Sequence, residues 1–167
     1  MRAVLRERRL ELAILVAVVV LDQVTKVLVR NALGLHQSIE VVPDLLSITR
    51  VHNTGAAFGL MNGVEFAFKP VVMSVVALAA LGGVAWYAAS VPLADVLARV
   101  GMAGVVGGAV GNLIDRASAG YVLDFVDAYW RGWHFWAFNV ADAAITVGVG
   151  CMILDILGLG RRASNSV

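Results

Sequence analysis

Four long apolar stretches, at about residues 10–32, 69–90, 95–117 and 137–159, set the limits on what this chain can fold into. A run of ~20 apolar residues matches the hydrocarbon thickness of a bilayer, and inside lipid every backbone polar group must be satisfied within the protein. Helices meet that demand span by span. The spacing therefore predicts a membrane protein, mainly α, built as a four-transmembrane-helix bundle. Composition agrees: 60% of the 167 residues are apolar and 15% are charged, against about 25% charged in soluble domains. The mean hydropathy is +0.83. Residues 1–167 read as a single membrane domain with connecting loops at 33–68 and 118–136.

Arg2, Arg6, Arg8 and Arg9 precede the first stretch as they would in a signal peptide. Asp22 and Lys26 interrupt that stretch, however, and no small-x-small site follows, so a retained span is expected. The terminal tails and the 91–99 connection also carry Arg99, Arg161 and Arg162, whereas the two longer loops hold Arg30, Arg50, Lys69, Arg116 and Arg131. This density difference places both termini in the cytoplasm and the long loops outside. Pro70 suits the first turn of the second helix, and Trp86 and Tyr87 suit an interface. Gly104/Gly108 and Gly107/Gly111 have the spacing of close helix contacts. Ser38–Val51, β-branched around Pro43-Asp44, predicts a small antiparallel sheet outside the bilayer. The glycine-rich turn after it leads into a short interfacial helix around Met61–Phe66.

Ionisable groups at membrane depth are costly and are functional-site candidates by default. Asp115, Asp124, Asp127 and Asp142 all fall between Gly111 and Asp142. Asn112, Asp115 and Arg116 share one face of the third helix, and Asn139 and Asp142 share one face of the fourth. Asp124 lies in the loop between these helices and Asn53 in the other external loop, so all converge at one membrane surface. Two carboxylates in a dry site share a proton and can act together as general base and acid.

Other readings stay open at each position. Asp142 also suits a helix start, with Asn139 as cap. A strand-like local structure would put Leu123 and Phe125 in apolar surroundings and Asp124 on the opposite face, and Asp124 also suits an ordinary loop. Arg116 can pair with Asp115, and Asn53 with Gly55 can serve a turn or bind an extended backbone. Asp22 and Lys26 can pair along the first helix. Rival nucleophiles are weak, since no serine sits in a nucleophile elbow and His36, His52 and His134 lack metal-ligand spacing. Cys151 reads as packing. A small proton-coupled carrier or channel subunit, with the aspartates as relay groups, is the alternative from another class. A lipid-modifying transferase is a third.

Taken together, five motifs in order resemble the lipoprotein signal peptidases (signal peptidase II), bacterial intramembrane aspartyl proteases. They are Asp22-Gln23-Val24-Thr25-Lys26, Asn53-Thr54-Gly55-Ala56-Ala57-Phe58, Gly111-Asn112-Leu113-Ile114-Asp115-Arg116, Val122-Leu123-Asp124-Phe125 and Phe138-Asn139-Val140-Ala141-Asp142. The resemblance implies Asp124 and Asp142 as a catalytic dyad and Asn53, Gly55, Asn112, Asp115, Arg116 and Asn139 as substrate-binding or supporting residues. Asp22 and Lys26 would be structural polar residues. The resemblance also implies the fold, a four-helix transmembrane bundle with an external β-sheet cradle and a short amphipathic interfacial helix, matching residues 38–51 and 57–66. It implies hydrolysis just before a diacylglyceryl-modified cysteine, with prolipoproteins and membrane lipids as partners and neither metal nor cofactor. A monomer in the bacterial cytoplasmic membrane, with its site at the outer face, is expected, and nucleic acid is not expected as a partner.

Overall fold

The computed structural model of the chain describes residues 8–55, 64 and 66–158. Along the chain run helix α1 (Arg9–Ala32), strands β1 (Ser38–Val42) and β2 (Leu46–Asn53), helices α2 (Lys69–Ser90) and α3 (Val96–Ala119), strands β3 (Val122–Trp130) and β4 (Trp133–His134), and helix α4 (Val140–Ile156). Three of the helices, α1, α2 and α3, are long and apolar enough to cross a membrane. The fourth, α4, has 17 residues. It is shorter than the apolar stretch because Asn139 caps it at one end and the chain leaves helical geometry after Leu157 at the other. The amphipathic helix expected over 57–66 lies outside the described residues, apart from Val64 and Phe66.

The central helix is α3, and its glycines explain why. They form two rows on two faces, so two neighbours can approach its backbone at once. A Cβ on Gly108 would stand 2.4 Å from the Ala141 carbonyl oxygen of α4, and one on Gly104 would stand 3.2 Å from that of Ala144. On the other face a Cβ on Gly111 would meet Asp22 Oδ2 of α1 at 2.6 Å. Helix α4 replies with Gly148, whose Cβ would meet the Gly101 carbonyl oxygen at 2.4 Å. By contrast α2 packs mainly on α3 and buries only Lys69 and Met73, near its start. Val71, Val72, Val75 and Leu78 are exposed, as lipid allows.

The sheet runs β1-β2-β3-β4 and is antiparallel throughout. Sequence reading expected strands around Pro43-Asp44, and Asp44 does make the turn with φ of 59°. It did not expect residues 118–136, read as a loop, to supply an interior strand. The first four residues of β3 are all buried, because both of its faces are covered and no polar alternation marks it. Leu123 and Phe125 pack on Val29 and Leu33 of α1. That choice of face directs Asp124 to the other side. The Phe138 carbonyl accepts from the Phe125 and Val126 N–H groups at 3.0 and 2.8 Å, which brings the start of α4 alongside β3.

Candidate active site

The site rests on a buried ion cluster. Lys26, reached from inside α1, places Nζ 2.8 Å from Asp22 Oδ2 and 2.9 Å from Asp115 Oδ2. All three side chains are almost fully buried, so the charges must compensate one another. Each carboxylate also takes up an N–H group from another element. Asp22 Oδ1 accepts from Ala141 N at 3.0 Å and Asp115 Oδ2 from Leu123 N at 3.0 Å. The cluster thereby ties α1, α3, β3 and α4 together at one level.

Asn112 carries this order into the site. Its Oδ1 accepts from Lys26 Nζ at 3.0 Å and from Asn139 Nδ2 at 3.2 Å. With its oxygen committed to two donors, its Nδ2 must face the other way, and it donates to Asp142 Oδ1 at 2.8 Å. Asn139 is the N-cap of α4 in a capping box. Its Oδ1 accepts from Asp142 N at 2.9 Å, and Asp142 Oδ2 accepts from Asn139 N at 3.3 Å. Asn139 Nδ2 donates to Asp124 Oδ1 at 2.7 Å, and Asn53 Nδ2 donates to Asp124 Oδ2 at 3.0 Å. Asn53 Oδ1 accepts from Gly55 N at 3.0 Å, and Arg116 Nη2 donates to the Gly55 carbonyl at 3.0 Å.

Asp124 and Asp142 are thus held by amides and backbone N–H groups, and among the described residues neither has a cation in direct contact. Burial, with the charge of Asp142 adding to it, pushes Asp124 up to about 7. Hydrogen bonds from Asn53 and Asn139 and the charge of Lys26 restrain that rise.

Ten of the residues singled out in the sequence meet in this network, with one change of partner, whereas Asp127 turns to His134 Nδ1 at 3.0 Å. Arg116 does not pair with Asp115. Neighbours at i and i+1 on a helix point apart, so Asp115 turns to Lys26 and Arg116 to Gly55. Asn53 engages Asp124 and Gly55 through the two ends of its amide. Two contributors were not anticipated. Lys69 is buried and donates from Nζ to Thr54 Oγ1 at 3.1 Å, beside Gly55. Gln23 Nε2 donates to the Gly111 carbonyl at 3.1 Å. A lysine opening an apolar helix looks like any snorkelling lysine, so no signal distinguished Lys69.

Asp124 and Asp142 open onto a cavity of about 800 Å³. Asn53, Asn112 and Arg116 share its polar end, and α2 supplies one apolar wall through Val76, Ala80 and Val84. Facing walls come from α3, α4 and the 135–138 segment. Apolar helices around a cavity that ends in two amide-held carboxylates define a membrane enzyme equipped for acid–base chemistry. The signal peptidase (SPase) II family model matches residues 14–158, and the chain belongs to that family. It is 41% identical over 155 residues to the lipoprotein signal peptidase of Symbiobacterium thermophilum, covering 93% of this chain and 99% of the relative. It is 45% identical over 145 residues to that of Geobacter metallireducens, covering 87% and 88%. A solved structure described as a bacterial membrane enzyme superposes with a TM-score of 0.80 at 30% identity, covering 94% of this chain and 93% of that one.

Proposed function

We propose that this chain is an aspartyl endopeptidase that removes the signal peptide from diacylglyceryl-modified prolipoproteins, cutting just before the lipidated cysteine. The observation that carries this reading is the pair Asp124 and Asp142, held by neutral amides at the mouth of an apolar cavity. One carboxylate, ionised, takes a proton from water, which attacks the scissile carbonyl. The other, protonated, hydrogen-bonds and polarises that carbonyl oxygen. Collapse of the tetrahedral intermediate breaks the C–N bond, and a carboxyl proton passes to the leaving amine. The pair begins and ends with one proton. Asn112 and Asn139 keep the two groups oriented, Asn53 steadies Asp124, and Arg116 and Gly55 fix the loop beside them. Nothing in this sequence of steps calls for a metal or cofactor.

In this proposal four helices span the bacterial cytoplasmic membrane, α4 with its flanks being the fourth, and both termini face the cytoplasm. The site then lies near the outer face, where the substrate's acyl chains and signal helix already reside in lipid. The enzyme works as a monomer. A proton-coupled carrier would use the same aspartates as relays, and the likeness to peptidases along most of the chain argues against it. The test is purified enzyme in detergent with a lipidated prolipoprotein, its unlipidated form and an added chelator. Cleavage of the lipidated form alone, unaffected by chelator, is expected. Inertness towards several lipidated substrates, with proton flux in reconstituted vesicles, would favour the carrier.

A further inference from the structure

A second, smaller cavity lies at the opposite end of the bundle. It measures about 250 Å³ and is bounded by α1, α2 and α3. Arg99, at its mouth, precedes Asn112 on α3 by thirteen residues, which at 1.5 Å per residue is about 20 Å along the axis. The cavity therefore belongs to the other leaflet's depth, away from Asp124 and Asp142. Its walls are apolar, including Leu12 and Leu15 of α1, Ala85 and Ala89 of α2 and Met102 of α3. Its rim holds three charged groups, Arg8, Glu11 and Arg99.

Those groups are unevenly matched. Arg99 pairs through Nε and Nη2 with Glu11 Oε1 and also donates from Nη1 to the Leu93 carbonyl at 2.6 Å. Arg8 donates from Nη1 to the Ala88 carbonyl at 3.1 Å and has no carboxylate partner among the described residues. Glu11 Oε2 is buried without a hydrogen-bond partner among them. The lining thus includes one guanidinium without a carboxylate partner and one buried acceptor without a donor among the described residues, three residues apart at the start of α1, above an apolar floor. An anion alone would answer the first and leave the second unmet. A ligand answering both carries a negative group, a hydrogen-bond donor close to it, and an apolar body.

We propose that this cavity is a binding site for a phospholipid head group, with the phosphodiester against Arg8, a head-group ammonium or hydroxyl donating to Glu11 Oε2, and the glycerol with its first acyl carbons on the alanine and leucine floor. Phosphatidylethanolamine and phosphatidylglycerol both satisfy this chemistry. Phosphatidylcholine does not, because its head group has no donor. The site also has a mechanical consequence. Helix α2 walls the large cavity with Val76, Ala80 and Val84 and this one with Ala85 and Ala89. A lipid that bridges α1, α2 and α3 pins the far end of a helix that otherwise packs mainly on α3.

The test uses the full chain, purified and delipidated in detergent. Thermal melting and native mass spectrometry are followed as each of the three lipids is added at equal mole fraction, with inorganic phosphate as a separate arm. The parent should melt higher, saturably, with the ethanolamine and glycerol lipids than with the choline lipid. Arg8→Gln should weaken their retention roughly fivefold, as the loss of a partly exposed ion pair would. Ala89→Leu, which fills the floor and leaves every charge in place, should abolish the preference. Equal response to all three lipids overturns the proposal, as does a preference that survives Ala89→Leu. An equal rise with inorganic phosphate would mean a free-anion site, and the lipid assignment would fall. The parent's lipid series needs no variant, so a misfolded substitution does not obscure the result.

Discussion

Two pairs of aspartates share this protein's interior, linked through Asn112, and the fold treats them oppositely. Asp22 and Asp115 close on Lys26 at 2.8 and 2.9 Å and spend their remaining oxygen capacity on N–H groups of α4 and β3. Asp124 and Asp142 receive amide donors only. Asp22 and Asp115 hold an ammonium between them and join four elements. Asp124, buried and beside the charge of Asp142, is pushed up to about 7, where a carboxyl can both give and take a proton. In the function proposed above, the same residue type serves structure in one place and chemistry in the other.

The comparison can be broken by substitution. Asp124→Asn and Asp142→Asn should each lower cleavage by about a thousandfold or more while melting remains cooperative, since a positioned acid or base contributes that order. A fold intact with parental activity in either variant would remove that residue from the chemistry. Lys26→Met should act on the other pair. Leaving two buried carboxylates without their cation costs roughly 3–5 kcal/mol, read as a large fall in Tm. Adding Asp115→Asn should recover part of it. An unchanged Tm would mean that the ion cluster is not what joins the four elements.

The pH dependence sharpens the contrast. Asp124 has its affinity for a proton raised from 3.8 to about 7 by the fold. The shared-proton form is therefore lost as pH rises through that value, and kcat/KM should fall above it by about tenfold per unit. Stability follows the same sign. A raised folded-state value stabilises the fold fully below 3.8, and that contribution disappears as pH approaches 7. Asp124→Asn should thus gain on the parent in Tm as pH rises across this window. A smaller effect is expected at the helix contact supporting both pairs. Gly108→Ala would put a Cβ 2.4 Å from the Ala141 carbonyl oxygen and cost about 1–3 kcal/mol by overpacking.

The helices and the site residues were legible because membrane physics leaves few options. Apolar runs of bilayer length must be helices, and polar residues within them need partners, so Asp22, Lys26, Asn112 and Asp142 stood out against their surroundings. The glycine pairs on α3 were legible for the same reason. What the pattern concealed was β3, because a strand covered on both faces shows no alternation and its aromatics read as an interfacial loop. Partner choice was concealed as well. Helical spacing says that Asp115 and Lys26 are each on some inward face, but which cation meets which carboxylate depends on how α1 and α3 rotate about Gly107 and Gly111. Lys69 and Arg8 gave no warning, since both resemble lysines and arginines that merely end a span.

The most direct test of the difference between the two pairs is infrared difference spectroscopy of the protonated-carboxyl stretch, titrated in the parent and in Asp124→Asn. The parent should show one carboxyl that loses its proton through about 7, and the variant should lack that transition. A transition that persists unchanged in Asp124→Asn, or a parent in which no carboxyl titrates near neutrality, would contradict the division between a structural pair and a chemical one.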